Sequence, residues 1–215
     1  MIFINFKTYK QGTGLTALKL ARICQAVEEK TSIKIIPLVQ TSDIFRLTSQ
    51  GLRVWAQHVD DINFGPNTGQ VLPQAVVGTG AEGTLLNHSE YKLPVEVIKE
   101  TIKHCQALKL KTLVCSDNLE EAKQIVESKP DLIAYEPPEF IGSQTESVAT
   151  TKPEVIKNFV DKIKRIPILV GAGIHSQRDV KTALKLGAKG VLVATDIVLA
   201  KKPEKELLEL AGGFK

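Results

Sequence analysis

Residues 111–135 read KTLVCSDNLEEAKQIVESKPDLIAY and carry the clearest pattern in the chain. The two ends, Lys111–Cys115 and Leu132–Tyr135, are short and mostly apolar at consecutive positions. Such runs are typical of parallel strands that are covered on both faces. Between them, Leu119–Val126 has apolar residues at helical spacing and follows Asn118, a residue type that often caps a helix. The stretch therefore predicts a strand, a helix and a second strand parallel to the first.

The same alternation continues along the chain in both directions. The other predicted strands are Ile2–Phe6, Ile33–Val39, Arg53–Gln57, Thr84–Asn87, Ile166–Val170 and Gly190–Ala194. The other predicted helices are Leu15–Val27, Ser42–Leu47, Val71–Val77, Pro94–Leu108, Pro153–Ile163, Gln177–Leu186 and Glu204–Leu210. Eight strands and eight helices in 215 residues give about 27 residues for each unit. Because an open doubly wound sheet usually has fewer strands, the pattern predicts a compact single (β/α)8 TIM barrel domain over residues 1–215.

Composition and charge are those of an ordinary folded domain. Lysine and arginine total 28 against 24 acidic residues, a net charge of +4 that is spread along the chain, so no nucleic-acid or membrane-surface partner is predicted. No apolar run approaches the roughly 18 to 20 residues of a membrane span, and no signal peptide is expected at the N-terminus. Cys24, Cys105 and Cys115 are an odd count without Cys-x-x-Cys spacing, which favours reduced structural thiols over disulfides or a zinc site. These features predict a cytoplasmic protein.

Candidate catalytic residues lie where predicted strands end, since a barrel of this kind carries its chemistry at the C-terminal ends of its strands. Asn5 and Lys7 share one face at the end of the first strand, where an anion-binding site competes with a merely solvated lysine. His88 follows the fourth strand, and His58, after the third strand, is its rival. Two or more of these groups are therefore expected at one end of the barrel.

The later strands end in further polar or glycine-rich segments. Glu136 follows the sixth strand, and Pro137 keeps its backbone extended, so the carboxylate is either paired or poised as a base. The last two strands lead into Gly171–Ile174 and Val193–Thr195, in the two units that often bind phosphate. The polar segment Ile141–Lys152 is interpreted as the longest segment of the chain without a helical or strand-like hydrophobic pattern. Its position after the sixth strand favours a lid.

One motif has a simpler explanation than cofactor binding. Gly78-Thr79-Gly80-Ala81-Glu82-Gly83 matches G-x-G-x-x-G. It follows a predicted helix and leads into a predicted strand, the reverse of a dinucleotide-binding fingerprint. It is therefore interpreted as a helix end and a turn, and no nicotinamide cofactor is predicted.

Four motifs occur in order along the chain. They are Asn5-Phe6-Lys7, Leu86-Asn87-His88-Ser89-Glu90, Tyr135-Glu136-Pro137-Pro138-Glu139-Phe140-Ile141-Gly142 and Gly171-Ala172-Gly173-Ile174. Together they resemble the triosephosphate isomerase family, in particular its short archaeal type, over essentially the whole chain. The resemblance implies an isomerase that interconverts dihydroxyacetone phosphate and glyceraldehyde 3-phosphate, without metal or cofactor. It also implies a homo-oligomer, a tetramer as is common among the short archaeal members.

The resemblance further implies a role for individual residues. Glu136 matches the general base, His88 the neutral electrophile, Lys7 the cation and Glu90 the carboxylate that steadies this lysine. A carboxylate base beside a neutral histidine is known for this family. The implied substrate-binding positions are Asn5, Phe6, Lys7, Ile141, Gly173, Ala194 and Thr195.

Two departures from the family pattern keep an alternative open. Asp196 follows Thr195 where small neutral residues are usual, and we expect its carboxylate to cap a helix N-terminus rather than face the phosphate. The segment between Gly142 and Val148 also differs from the family. The alternative is a barrel that binds a sugar phosphate but is catalytically impaired. An isomerase of aromatic-amino-acid or histidine synthesis on the same barrel is a further alternative, against which the residues at the first and sixth strands argue.

Overall fold

A closed ring of eight parallel strands forms the centre of the molecule in the computed structural model, which describes residues 1–141 and 146–215. The strands are β1 (Ile2–Asn5), β2 (Ile35–Val39), β3 (Trp55–Ala56), β4 (Gly83–Leu86), β5 (Lys111–Ser116), β6 (Leu132–Tyr135), β7 (Ile168–Val170) and β8 (Gly190–Val193). Each strand pairs with the next, and β8 pairs with β1. The predicted (β/α)8 barrel is confirmed.

Helices surround the barrel. They are α1 (Gly14–Thr31), α2 (Thr41–Thr48), α3 (Pro73–Gly78), α4 (Val95–Ala107), α5 (Leu119–Val126), α6 (Val148–Thr151), α7 (Pro153–Lys162), α8 (Gln177–Lys185), α9 (Thr195–Val198) and α10 (Pro203–Gly212). Every predicted helix is present. The short α6 and α9 and the 3₁₀ turns Lys10–Gly12 and Pro138–Phe140 were not predicted, because so few residues show no periodicity. All four follow the C-terminal ends of strands, so the unpredicted elements gather at one end of the barrel.

The inside of the barrel is filled with side chains. Its members are Phe3, Ile36, Leu38, Trp55, Leu85, Leu113, Cys115, Leu132, Ala134, Leu169 and Leu192. Phe3 and Trp55 meet edge to face with ring centroids 4.9 Å apart. A Cβ on Gly83 would lie 2.4 Å from the Trp55 ring, so this position must be glycine for the tryptophan to fit. Because the interior is filled, a ligand cannot enter the barrel itself, and the chemistry of such barrels lies at the C-terminal ends of the strands.

The longest segment without helix or strand among the described residues is 57–72, between β3 and α3. The interpretation of Ile141–Lys152 as the longest such segment was wrong, because its second half contains α6. Residues 142–145 of that predicted lid lie outside the described residues. The base of 57–72 is closed by Asp60, whose N–H donates to the Val71 carbonyl (2.9 Å) and whose carboxylate accepts from the Val71 N–H (2.6 Å).

The three cysteines are buried and none is in a disulfide. This agrees with the prediction of structural thiols for Cys24 and Cys105, whereas Cys115 lies in the barrel interior near the site described below. In residues 1–141 and 146–215, no helix is both long and apolar enough to cross a membrane. Across the same residues, no group of three or more His, Cys, Asp or Glu side chains is arranged to hold a metal ion.

Candidate active site

One cavity at the C-terminal end of the barrel brings together most of the predicted site residues. Those that line it are Asn5, Lys7, His88, Glu136, Ile141, Gly173, Ala194 and Thr195. They lie at or directly after the C-terminal ends of β1, β4, β6, β7 and β8. Phe6 does not line the cavity, because its fully buried side chain packs in the apolar layer outside the barrel. Glu90 lies outside the lining as well and reaches the site through its contacts with Lys7 and His88.

Lys7 is held in place by contacts on both sides of its backbone. Its φ is +48°, a left-handed conformation that costs a residue with a side chain some free energy and is common at functional sites. The Lys7 N–H donates to Asn5 Oδ1 (3.0 Å), and Gln57 Nε2 donates to the Lys7 carbonyl (3.0 Å). The ammonium lies 2.7 Å from Glu90 Oε1. These contacts fix a cation at the edge of the cavity.

The turn that carries His88 is anchored by the residue before it. Asn87 also has a left-handed backbone, with φ +57°, and it is buried. Its side-chain amide donates to the Cys115 carbonyl (2.9 Å) and to Glu121 Oε1 (3.0 Å). Its side-chain oxygen accepts from the Leu93 N–H (3.0 Å). Because every polar group of this buried side chain has a partner, the position of the turn is well determined.

His88 is arranged as a neutral hydrogen-bond donor. The Glu90 N–H donates to His88 Nδ1 (3.2 Å), so the proton of the neutral ring belongs on Nε2. Burial lowers the pKa of His88; the Glu90 carboxylate opposes this shift, and the Lys7 ammonium adds to it. The imidazole is therefore neutral near pH 7. The contact between His88 Nδ1 and Glu90 Oε2, at 3.6 Å, is consequently not an ion pair.

Glu136 is a buried carboxylate with an open oxygen. It continues the inward side of β6, since Ala134 fills the barrel interior, and its N–H donates to the Ser116 carbonyl (2.9 Å). Burial raises the pKa of Glu136 to about 7, while the nearby Cys115 thiol and the Lys7 ammonium oppose the increase. Within the described part of the chain, Glu136 Oε2 has no hydrogen-bond partner. A carboxylate with these properties can accept a proton near neutral pH.

Two glycines after β7 allow neighbouring segments to approach closely. A Cβ on Gly171 would lie 2.6 Å from Cγ and 2.7 Å from Oε1 of Glu136. A Cβ on Gly173, whose φ is +64°, would lie 2.2 Å from the Glu146 carbonyl oxygen. The glycine-rich loop therefore serves two contacts at once, one with the carboxylate after β6 and one with the segment that precedes α6.

The side chain of Asp196 does not cap a helix, and the expectation that it would was wrong. Asp196 lies in the first turn of α9, which has no side-chain cap. Its carboxylate instead forms a hydrogen bond with Nδ1 of His175. His175 lines the cavity and was not predicted; the available signal was its position directly after Gly171–Ile174. Leu192 also lines the cavity without having been predicted, whereas Gly171, Ile174 and Val193 lie in the two segments predicted to bind phosphate.

His58, the rival histidine, lies outside the cavity lining. Its Nε2 is 3.0 Å from Asp60 Oδ1, and its ring packs edge to face against Tyr91 with centroids 4.7 Å apart. These contacts account for a structural role in segment 57–72. Of these two candidates, His88 is therefore the one that shares a cavity with Lys7 and Glu136.

Comparisons with known proteins agree with the geometry. A family model described as "Triosephosphate isomerase" matches residues 1–211. A curated protein of that name from Methanobacterium bryantii is 41% identical over 215 residues, which cover 98% of this chain and 95% of the relative. One from Methanothermus fervidus is 42% identical over 216 residues, covering 98% and 96%. One from Methanocaldococcus jannaschii is 40% identical over 215 residues, covering 98% of each.

Proposed function

The chain belongs to the triosephosphate isomerase family, and from that premise we propose that its cavity interconverts dihydroxyacetone phosphate and D-glyceraldehyde 3-phosphate, with Glu136 as the base. The observation that carries the proposal is that Lys7, His88 and Glu136, which follow three different strands, line one cavity. Proton abstraction next to a carbonyl requires a base, an electrophile and stabilisation of the developing negative charge. This cavity has one candidate for each requirement.

The reaction would proceed by two proton transfers between Glu136 and carbon on the same face of the substrate, and by transfer of a proton between the two oxygens. Glu136 Oε2 takes a proton from the carbon next to the carbonyl, and the electron pair of that C–H bond forms the enediolate. His88 donates its Nε2 proton to the former carbonyl oxygen and takes the hydroxyl proton from the neighbouring oxygen, and the Lys7 ammonium offsets the negative charge of the enediolate and the phosphate. Glu136 then returns the proton to the neighbouring carbon, which completes the isomerisation. A base with its pKa near 7 suits both transfers.

The phosphate would lie at the side of the cavity formed by the loops after β7 and β8. Gly173, Ala194 and Thr195 line this side, and the first N–H groups of α9 have no partner within the helix. Ile141 lines the cavity from the segment after β6. Asn5 would contact the substrate beside Lys7.

A coupled assay of glyceraldehyde 3-phosphate isomerisation, with Glu136→Gln purified beside the wild type, tests this proposal. Gln matches Glu in shape but cannot take the proton, so turnover should fall by at least the roughly 10²–10⁴-fold contribution of a general base. Near-normal turnover of the variant would exclude Glu136 as the base. An inactive wild type that still bound phosphoglycolate would instead support the impaired sugar-phosphate-binding barrel.

We also propose that the chain forms a homo-oligomer, a tetramer as in the short archaeal members that it resembles. Large apolar side chains on its surface support an association: Phe64 is 78% exposed, Phe45 66% and Leu15 65%. Size-exclusion chromatography with light-scattering detection should give a molecular mass of about four times the chain mass of 23.5 kDa. Phe64→Ser should lower this mass if segment 57–72 contributes to the interface. A wild type with the mass of one chain would contradict the proposal.

A cytoplasmic location is proposed on chemical grounds. The thiols of Cys24, Cys105 and Cys115 are all buried and free, which suits a reducing compartment. Burial also raises the pKa of Cys105 to about 12, so its thiol resists oxidation in the folded state. Fractionation of the source cells, followed by detection of the protein in each fraction, would test the location.

A further inference from the structure

His175 and Asp196 form a pair at the side of the cavity assigned above to the phosphate. His175 follows the glycine-rich loop after β7, and Asp196 lies in the first turn of α9. Both side chains line the cavity, together with Gly173 and Thr195. The hydrogen bond between His175 Nδ1 and the Asp196 carboxylate joins the two loops.

Within the part of the chain that the structure describes, the other nitrogen of this imidazole has no hydrogen-bond partner. Among residues 1–141 and 146–215, buried side-chain atoms without a hydrogen bond include just two from the cavity lining, Glu136 Oε2 and His175 Nε2. Leaving such an atom unpaired costs free energy, and unpaired atoms in a binding cavity often mark the place of a ligand atom. Because Glu136 Oε2 is the proton acceptor of the proposed reaction, His175 Nε2 is the second buried, unpaired atom on a residue that lines the same cavity.

The charge of Asp196 requires compensation at this position. A lone carboxylate beside a phosphate dianion would repel it, whereas an imidazole between them separates the two anions and offers hydrogen-bond donors. The other charged groups near the pair are Lys7 and Glu136 in the cavity, and Asp179. The Asp179 carboxylate accepts from the backbone N–H of His175 (3.2 Å) and does not contact its imidazole through this bond. Asp179 is itself committed to Ser176, from whose N–H and hydroxyl it accepts at 2.9 and 2.8 Å. His175 is therefore the group placed between Asp196 and a phosphate bound in the cavity.

We propose that His175, held by Asp196 through Nδ1, is a phosphate-binding residue that donates from Nε2 to a phosphate oxygen of the substrate. This inference rests on the proposed function for the identity of the ligand. Asp196 is the positioning residue of the pair, since it acts through the orientation and charge of the imidazole. The carboxylate that departs from the family pattern is thus the hydrogen-bond partner of a histidine in the same cavity.

A double-mutant cycle separates phosphate binding from a purely structural link between the two loops. The proteins are the wild type, His175→Ala, Asp196→Gly and the double variant, with His104→Ala as a matched control. His104 also pairs with a carboxylate, that of Asp61 at 3.3 Å, but it does not line the cavity. Each protein is assayed with glyceraldehyde 3-phosphate and with glyceraldehyde, which lacks the phosphate.

His175→Ala should raise KM for glyceraldehyde 3-phosphate by about tenfold or more, because a charged hydrogen bond is lost and Asp196 is left uncompensated. Adding Asp196→Gly should lower KM again, since it removes the repelling carboxylate. The ratio kcat/KM for glyceraldehyde should change little in all variants. The control His104→Ala should have the kinetic constants of the wild type with both substrates. If His175→Ala folds poorly, His175→Gln takes its place, because it too lacks the charge.

Two results would overturn the inference. One is an equal loss of kcat/KM in His175→Ala with both substrates. The other is a KM for the double variant as high as that of His175→Ala. Either result indicates that the pair is a structural link only. If the wild type itself is inactive, the proposed function fails, and calorimetric titration with inorganic phosphate tests the pair alone. The affinity for phosphate should then be lower in His175→Ala and should recover in the double variant. Equal affinity in all proteins would contradict the inference.

Discussion

Glu136 rests directly on the backbone of Gly171, so closely that a methyl group on Gly171 would lie 2.6 Å from Glu136 Cγ. The contact joins the ends of β6 and β7, which are neighbours in the barrel. Real Cβ atoms do not approach other atoms this closely, so any side chain at Gly171 must displace the carboxylate. The position of the proposed base therefore depends on the absence of a side chain on the next strand.

Gly171→Ala should lower kcat by at least about tenfold, because misplacing a catalytic group by about 1 Å can cost 10²-fold. Gly78→Ala is the matched control: Gly78 ends α3, and a Cβ there would meet nothing within 4 Å. Steady-state kinetics of both variants, with circular dichroism to verify folding, makes the comparison. Equal activity of the two variants would show that Glu136 can move without loss.

The dependence of activity on pH should report the ionisation of Glu136. A base must be deprotonated to act, and burial raises the pKa of Glu136 to about 7, so kcat/KM should rise with pH and level off above this value. The Cys115 thiol opposes the increase, so Cys115→Ala should move the profile to higher pH. Cys24→Ala, which removes an equally buried thiol outside the barrel interior, should leave it in place. Profiles of kcat/KM from pH 5 to 9 for the three proteins would test this, and a flat profile would contradict it.

The same carboxylate should destabilise the folded protein above neutral pH. Its pKa is 4.5 in an unperturbed state and about 7 in the folded protein, so between these values the folded state binds more protons than the unfolded state. Stability therefore falls as the pH rises from 4.5 to 7 and changes no further above 7 through this group. A difference of this size corresponds to about 3 kcal/mol at most.

Glu136→Gln should accordingly be more stable than the wild type at pH 8, and the gain should disappear well below pH 4.5, where the wild-type side chain is neutral in both states. Urea unfolding at a fixed protein concentration measures both differences, since association also contributes to the apparent stability. If the variant were no more stable at pH 8, the buried charge would carry no energetic cost. The prediction also separates the two roles of the residue, since the same substitution removes turnover and increases stability.

The fold and the charged groups of the site could be predicted because each depends on local sequence. Lys7, His88 and Glu136 stand out as polar residues at the ends of apolar runs, which is a one-dimensional signal. The alternation of side chains on β1 already indicates that Phe6 points away from Asn5, so its placement outside the cavity follows from the strand itself. The motif led to the opposite expectation, because it names three consecutive residues.

The contacts between loops could not be predicted in the same way. His175 and Asp196 are 21 positions apart on different units, and no periodicity joins them. Gly171 was predicted for a phosphate loop, whereas its contact with Glu136 depends on how two adjacent strands are aligned. The short α6 and α9 likewise depend on the packing of the loops that contain them rather than on an amphipathic pattern.

Glu121 should support the activity from outside the cavity. Its Oε1 accepts from Asn87 Nδ2 (3.0 Å) and from Lys92 Nζ (2.9 Å), and its Oε2 accepts from the Asp117 N–H (2.9 Å). Glu121→Ala leaves the buried Asn87 amide short of an acceptor, which should cost about 1–3 kcal/mol of stability. Because Asn87 anchors the turn that carries the proposed electrophile, kcat should fall as well, by about tenfold.

The neighbouring Glu120 provides the control on the same turn of α5. Its side chain is 75% exposed and forms one ion pair, 3.7 Å long, with Lys123, which contributes little in solvent. Glu120→Ala should therefore change both kcat and the urea midpoint only slightly. Glu121→Gln keeps one acceptor oxygen, so its kcat and its urea midpoint should lie between those of the wild type and those of Glu121→Ala. Kinetics and unfolding of the three variants test the order. Equal kcat in Glu120→Ala and Glu121→Ala would mean that the turn keeps its position without the carboxylate, and that Asn87 alone suffices to hold it.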